Sequence, residues 1–190
     1  MRNILIILTT VSLLFPSISK GQDSSKRAFN INRLTLGYGI GFDSYPDNRN
    51  LNFAISIDYS IQKNKNLFTL GCHSSNEMNF ILGPRPNNRV NSYEITYGRT
   101  HTKGDYFFAL SGGMSYNHRI ERGKYLYSES ILGPDHYEKI GVSTLGVPIS
   151  IRSVWNVFRK YGVGLELYAN INKTSYYCIT LISQFGNLRD

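Results

Sequence analysis

Three carboxylates and one guanidinium interrupt runs that otherwise alternate greasy and small residues. Asp58, Glu94, Glu166 and Arg152 each fall on the small, polar face of such a run. If those faces turn inward the charges must find partners, because an unpaired buried charge is costly. The expected arrangement is an interior charge network of these carboxylates, with Arg152, Lys139 or Arg33 supplying the cations. Its expected role is structural, filling and rigidifying the interior; a proton or ion path is the second reading. A nucleophile and a base are also at hand in His73-Ser74-Ser75. That spacing could build a nucleophile–base–orienter arrangement. Alternation puts His73 and Ser75 on the inward face of Gly71, and no Glu follows at a suitable distance along the next run. His73 is therefore expected to be a strand-end histidine with solvated neighbours. His101, His118 and His136 fall in turns or loops, and none has a Cys, Asp or second His at metal-ligand spacing, so no metal site is expected. The glycines of Gly37-Tyr38-Gly39-Ile40-Gly41 alternate on one face, as where another backbone or bulky side chain comes close, and do not form a phosphate loop. No cofactor is implied.

The elements that would hold these residues have period two. From Leu51 to Ile61 every odd position is apolar, whereas the even positions are Asn52, Ala54, Ser56, Asp58 and Ser60. A helix would need a spacing near 3.6, which this run lacks. The signature recurs around Leu34–Phe42, Tyr93–Gly98, Tyr106–Tyr116, Val163–Ile171 and Tyr177–Phe185, with weaker runs at Leu67–Ser74 and Glu138–Ser153. Eight strands of nine to twelve residues are the result. Short polar turns are expected at Gln62–Asn66, His101–Asp105 and Asn156–Lys160, and longer connections at Asp43–Asn50, Ser75–Arg89 and Asn117–Tyr137, with a short one at Asn172–Thr174. Short and long connections mostly alternate, as where turns at one membrane face are tight and loops at the other are long.

The chain has 190 residues, room for one domain, with fourteen Tyr, ten Phe and one Trp. Tyr and Phe favour strands, and Tyr suits a membrane–water interface. Residues 1–21 read as a signal peptide: Arg2, an apolar run from Ile4 to Phe15, Pro16, then small residues at Ser19 and Gly21 before Gln22. That run is about 12 residues, the length of a signal core and too short to span a bilayer. No other stretch approaches 18 apolar residues, which excludes a helical membrane protein. The formal charge is +8, and removing Arg2 and Lys20 leaves about +6 on residues 22–190. Lys and Arg are scattered through turns and loops rather than gathered on one face, which argues against nucleic acid and for a solvated rim near anionic lipopolysaccharide. Cys72 falls with outward residues and Cys178 with inward ones, so no disulfide is expected and both are taken as small buried side chains.

Alternation alone fits a soluble sandwich or a membrane barrel. Strand length, a small-polar face suited to a narrow lumen, and aromatics at strand ends favour the membrane arrangement. The ring aromatics are Phe42, Tyr45, Tyr59, Tyr93, Tyr106, Tyr116, Tyr161, Tyr176, Tyr177 and Phe185. The expected fold is an all-β, eight-stranded antiparallel up-and-down transmembrane β-barrel over residues 22–190.

The pattern resembles the OmpA/OmpX-type eight-stranded barrels. The stretches Ile140–Ile149 and Gly162–Asn172, and the closing Ile182–Arg189 with its Gly186-Asn187-Leu188-Arg189, are similar to small uncharacterised outer-membrane barrel proteins of the Bacteroidota. The resemblance implies a fold and a compartment, the cell outer membrane, and no activity. No peptidoglycan-binding domain follows the barrel, so the tethering role of larger OmpA proteins is not implied. Lipid A deacylase-like barrels carry a His-x-Ser pair with a Glu, which His73 and Ser75 match only in local spacing. The expected function is non-enzymatic, structural or in surface interaction, with outer-membrane lipid and lipopolysaccharide as surroundings. A surface partner is expected at loops 75–89 and 117–137, where the tetrapeptide Ile-Leu-Gly-Pro occurs twice, at Ile81–Pro84 and Ile131–Pro134. The alternatives are a secreted, lipocalin-like barrel around a small apolar ligand and a lipid-modifying barrel enzyme.

Overall fold

Eight runs of alternating residues close on themselves. A computed structural model describes residues 30–43, 51–78, 84–128 and 134–186. The strands are β1 (Asn30–Asp43), β2 (Leu51–Lys63), β3 (Asn66–Glu77), β4 (Arg89–Lys103), β5 (Tyr106–Ser128), β6 (Asp135–Phe158), β7 (Tyr161–Ile171) and β8 (Tyr176–Gly186). Each pairs antiparallel with its sequence neighbours, and β1 pairs with β8 to close the barrel. The expected signal peptide at residues 1–21, the closing Asn187–Arg189 and Tyr45 lie outside the described residues.

The alternation reports a real inside and outside. Along β2 every odd residue is exposed and every even one buried. Ile57 is 53% exposed whereas Asp58, its neighbour, is 0% exposed. The same reversal runs round the barrel, with Leu70, Ile95, Leu110, Ile151, Leu165 and Leu181 facing outward and Thr69, Glu94, Ser111, Arg152, Glu166 and Thr180 facing in. A soluble barrel puts its apolar face inside, so the lipocalin-like arrangement, with an apolar cavity, is not the one adopted.

Turn chemistry sets one end. Two-residue links join β2 to β3 at Asn64-Lys65, β4 to β5 at Gly104-Asp105 and β6 to β7 at Arg159-Lys160. Asn64 (φ 57°) and Gly104 (φ 59°) take the left-handed conformation that such tight links demand and that Asn and Gly tolerate best. Outward aromatics ring both ends. Phe42, Tyr93, Tyr116 and Tyr177 lie near the loops, and Tyr59, Tyr97, Tyr106 and Trp155 near the turns. Tyr176 does not join the ring as expected; it is fully buried inside. Cys72 is exposed on the outer face rather than buried, and Cys178 is buried inside; both are free thiols.

Two strands are far longer than expected. β5 has 23 residues and β6 has 24, against 11 to 15 elsewhere. Pairing of β5 with β4 stops at Ile120, and pairing of β6 with β7 stops at Val147. Beyond those points β5 and β6 pair with each other as a two-stranded ribbon up to Ser128↔Asp135. Most of what was expected as loop 117–137 is therefore strand, and His101, His118 and His136 lie in β4, β5 and β6 instead of in turns. Cross-strand rings hold the ribbon: Tyr127 stacks on His136 (4.6 Å) and Tyr125 meets Tyr137 edge-on (5.6 Å). Loop 75–89 is likewise shorter, since β3 runs to Glu77 and the backbone of Arg85 pairs with the β6 edge at Asp135 and Tyr137.

Candidate functional site

Register builds the site on two opposite walls. On one, Asp58, Gly71 and Glu94 lie in line across β2, β3 and β4. Gly71 leaves the space that the flanking carboxylates use; a Cβ there would meet Asp58 Oδ1 and Glu94 Cγ. His73 is the next inward residue of β3. On the other wall, Arg152, Glu166 and Thr180 lie in line across β6, β7 and β8.

The walls meet through Arg152. Its Nε donates to Glu166 Oε1 at 2.6 Å and its Nη2 to Asp58 Oδ2 at 2.5 Å. Thr180 Oγ1 donates to the other Glu166 oxygen at 3.4 Å. Glu94 does not touch Arg152 directly; it accepts a 2.6 Å hydrogen bond from the Tyr168 hydroxyl. His73 Nε2 lies 3.4 Å from both Asp58 Oδ1 and Glu94 Oε1, and its ring stacks on Tyr168 at 4.0 Å. Arg152, Asp58, Glu94, Glu166 and His73 are all at most 5% exposed. The four residues expected in a network are thus brought together, with His73 and Tyr168 between them.

Two expected cations are elsewhere. Lys139 is exposed on the ribbon, opposite Arg122 in register. Arg33 is buried, but its guanidinium lies over the Phe107 ring at 3.9 Å, and its Nε and Nη1 have no hydrogen-bond partner among the described residues. His73 is not at a solvated strand end. The parity that set it on the lumen face was the signal; its depth depended on β3 continuing to Glu77.

A suitable acid also exists beyond His73 and Ser75, contrary to expectation, because Glu94 on the next strand reaches the ring. The ring nitrogen faces the two carboxylates, however, while Ser75 Oγ is buried without a hydrogen-bond partner among the described residues. No nucleophile–base pair is formed. Asp58, His73 and Glu166 each turn a possible metal-ligand atom to within 4.8 Å of the others. Linear spacing could not reveal this convergence from three strands. Arg152 already bridges Asp58 and Glu166, so the cluster has a built-in cation.

The lumen is filled on both sides of this layer. Toward the turns Leu67, Phe107, Ala109, Val154 and Ile182 pack together, and toward the loops Ala54, Val90, Tyr176 and Cys178 pack with Tyr168. Asn170 Nδ2 reaches Ser115 Oγ at 2.9 Å and Asn117 Oδ1 at 3.0 Å. At the loop mouth Arg119 pairs with Asp43 at 3.1 Å, and Arg122 grips both Glu77 oxygens at 2.6 and 2.7 Å. The sequence reading missed both mouth pairs because it placed their residues in loops or at strand ends. Small residues make the narrow bore workable: a Cβ on Gly39 would run into the Ile179–Thr180 backbone.

No family model matches the chain, and no curated protein matches it. Solved structures do. Neisserial surface protein A (NspA) superposes with a TM-score of 0.60 at 9% identity, over 84% of this chain and 99% of that one. Ail, the attachment invasion locus protein of Yersinia pestis, solved with the heparin analogue sucrose octasulfate, gives 0.56 at 8% identity, over 83% and 97%. The N-terminal β-barrel domain of Pseudomonas aeruginosa OprF gives 0.50 at 9% identity, over 83% and 99%. At these identities the likeness is one of fold, and the fold is that of the small eight-stranded outer-membrane β-barrels.

Proposed function

We propose that this chain is exported by residues 1–21 and resides in the outer membrane as a non-enzymatic barrel that makes surface contacts through its loop end. The β5–β6 ribbon is the observation that carries the contact role. It extends eight residues of β5 beyond the last β4 pairing, about 25 Å of strand. Its tip exposes Tyr125, Leu126 and Tyr127, each more than half exposed. Aromatic side chains held rigidly by cross-strand pairs are suited to recognition, since little freedom is lost on contact. The apolar belt supports the location, and the filled lumen supports a structural role for Asp58, Glu94, Arg152 and Glu166. Outer-membrane lipid and lipopolysaccharide are the proposed surroundings, and the segments around 75–89 and 117–137 the proposed contact region. A Bacteroidota origin rests on the short motifs quoted above.

Topology is the test. In a background with Cys72→Ser and Cys178→Ser, a single cysteine is introduced by Tyr127→Cys or by Lys65→Cys, and intact cells are treated with a membrane-impermeant maleimide. Labelling of the first variant and protection of the second is the expected result. The reverse pattern would put the ribbon on the inner side and end the surface-contact reading.

A further inference from the structure

The sequence scatters its cations, but the fold gathers them. Lys63, Lys65, Arg99, Lys103, Arg159 and Lys160 all come to the turn end, all exposed, against the single acid Asp105 among the described residues there. None of the six has an ion-pair partner among the described residues. The loop end is more balanced: among the described residues there, five acids (Asp43, Glu77, Glu121, Asp135 and Glu138) stand against seven cations, and Arg119 and Arg122 are paired with Asp43 and Glu77.

Placement relative to the apolar belt narrows the partner. Lys63, Arg99 and Lys103 continue the outward face of their strands, directly beyond Ile61 in β2 and Tyr97 in β4. Tyr59, Tyr97, Tyr106 and Trp155 form the aromatic ring at this end, with Tyr106 opposite Lys103 in register. Long cationic side chains beside such a ring extend along the interface and put their charge at headgroup level. Clustered cations at that level attract anionic headgroups within about a Debye length. We propose that the turn-end rim is a binding surface for anionic phospholipid headgroups, so that the barrel selects such lipids in the leaflet opposite its loops. This rests on the membrane reading above. A soluble acidic protein would have no need of three cations aligned with the lipid-facing side of the strands.

Trp155 supplies the readout. It is the only tryptophan, faces outward at 51% exposure, and lies opposite Tyr106, which pairs with Lys103. The chain 22–190 is folded into phosphatidylcholine vesicles containing increasing fractions of dibrominated phosphatidylglycerol or dibrominated phosphatidylcholine, and Trp155 quenching is followed. The expected result is an apparent preference for the glycerol lipid of about threefold or more, shrinking at high salt. Lys103→Gln with Arg159→Gln and Lys160→Gln should abolish it. A control of equal charge change at the other end, Lys124→Gln with Lys139→Gln and Lys173→Gln, should keep it. Equal quenching by both lipids would overturn the proposal and leave the membrane reading intact, as would a preference that survives in the turn-end variant. Quenching by neither lipid would overturn the membrane reading itself.

Discussion

Replacing Arg152 by alanine is expected to lower the stability of the folded barrel by about 3–5 kcal/mol, the usual cost of removing one partner from a buried charge cluster. Arg152 is the charged link between the two walls, bonded to Glu166 on its own side and to Asp58 across the lumen. Without it Asp58 and Glu166 lose the guanidinium that they share. Urea titration of the vesicle-embedded protein, followed by Trp155 fluorescence, reads the loss as a lower midpoint. Arg33→Ala is the comparison: it is equally buried but bonds to no carboxylate, and it should cost clearly less. The damage should be partly reversed by neutralising the orphaned acids, so Arg152→Met with Asp58→Asn and Glu166→Gln should be more stable than Arg152→Ala. If Arg152→Ala and Arg33→Ala prove equal, and small, the network does not hold the barrel together.

The second large effect lies on the lipid-facing side of β2, the strand that carries Asp58. Ile57→Arg, one residue from Asp58 in the middle of β2, is expected to cost about 2–4 kcal/mol in a bilayer, the penalty for a cation on the lipid face near the midplane. The same change at an exposed site in water is usually worth less than about 0.5 kcal/mol. The substitution therefore distinguishes the two solvents that could surround the barrel. A titration in vesicles of uniform lipid checks it, and a cost that stays near zero there would mean that Ile57 does not meet hydrocarbon.

Period two made most of the barrel legible, because strand alternation depends on local backbone geometry alone. The strand count, the three tight turns and the inward face of Asp58, Glu94, Arg152 and Glu166 all follow from it. What stayed hidden depends on contacts between residues far apart in the chain. His73 was correctly placed on the lumen face, yet its partners Asp58 and Glu94 come from two other strands whose relative register no local pattern encodes. The ribbon was missed for a different reason: from Asn117 to Lys124 polar and charged residues fall on both faces. Where strands face water on both sides the hydrophobic alternation disappears, and pairs such as Tyr127 with His136 become visible only once β5 and β6 are laid side by side. The basic turn-end rim had the same fate, since residues 63 to 160 are gathered there only by barrel closure.

The inverted polarity, polar within and apolar without, is the centre of the account, and refolding tests it most directly. Chain 22–190 is diluted from denaturant into buffer with or without detergent micelles, and unboiled and boiled samples are compared by gel electrophoresis. The account predicts a β-rich product whose migration shifts on heating in micelles alone, and aggregation in plain buffer. A monodisperse, β-rich protein in plain buffer would contradict it, because a face carrying Leu70, Ile95 and Leu165 in the open could not then remain in water.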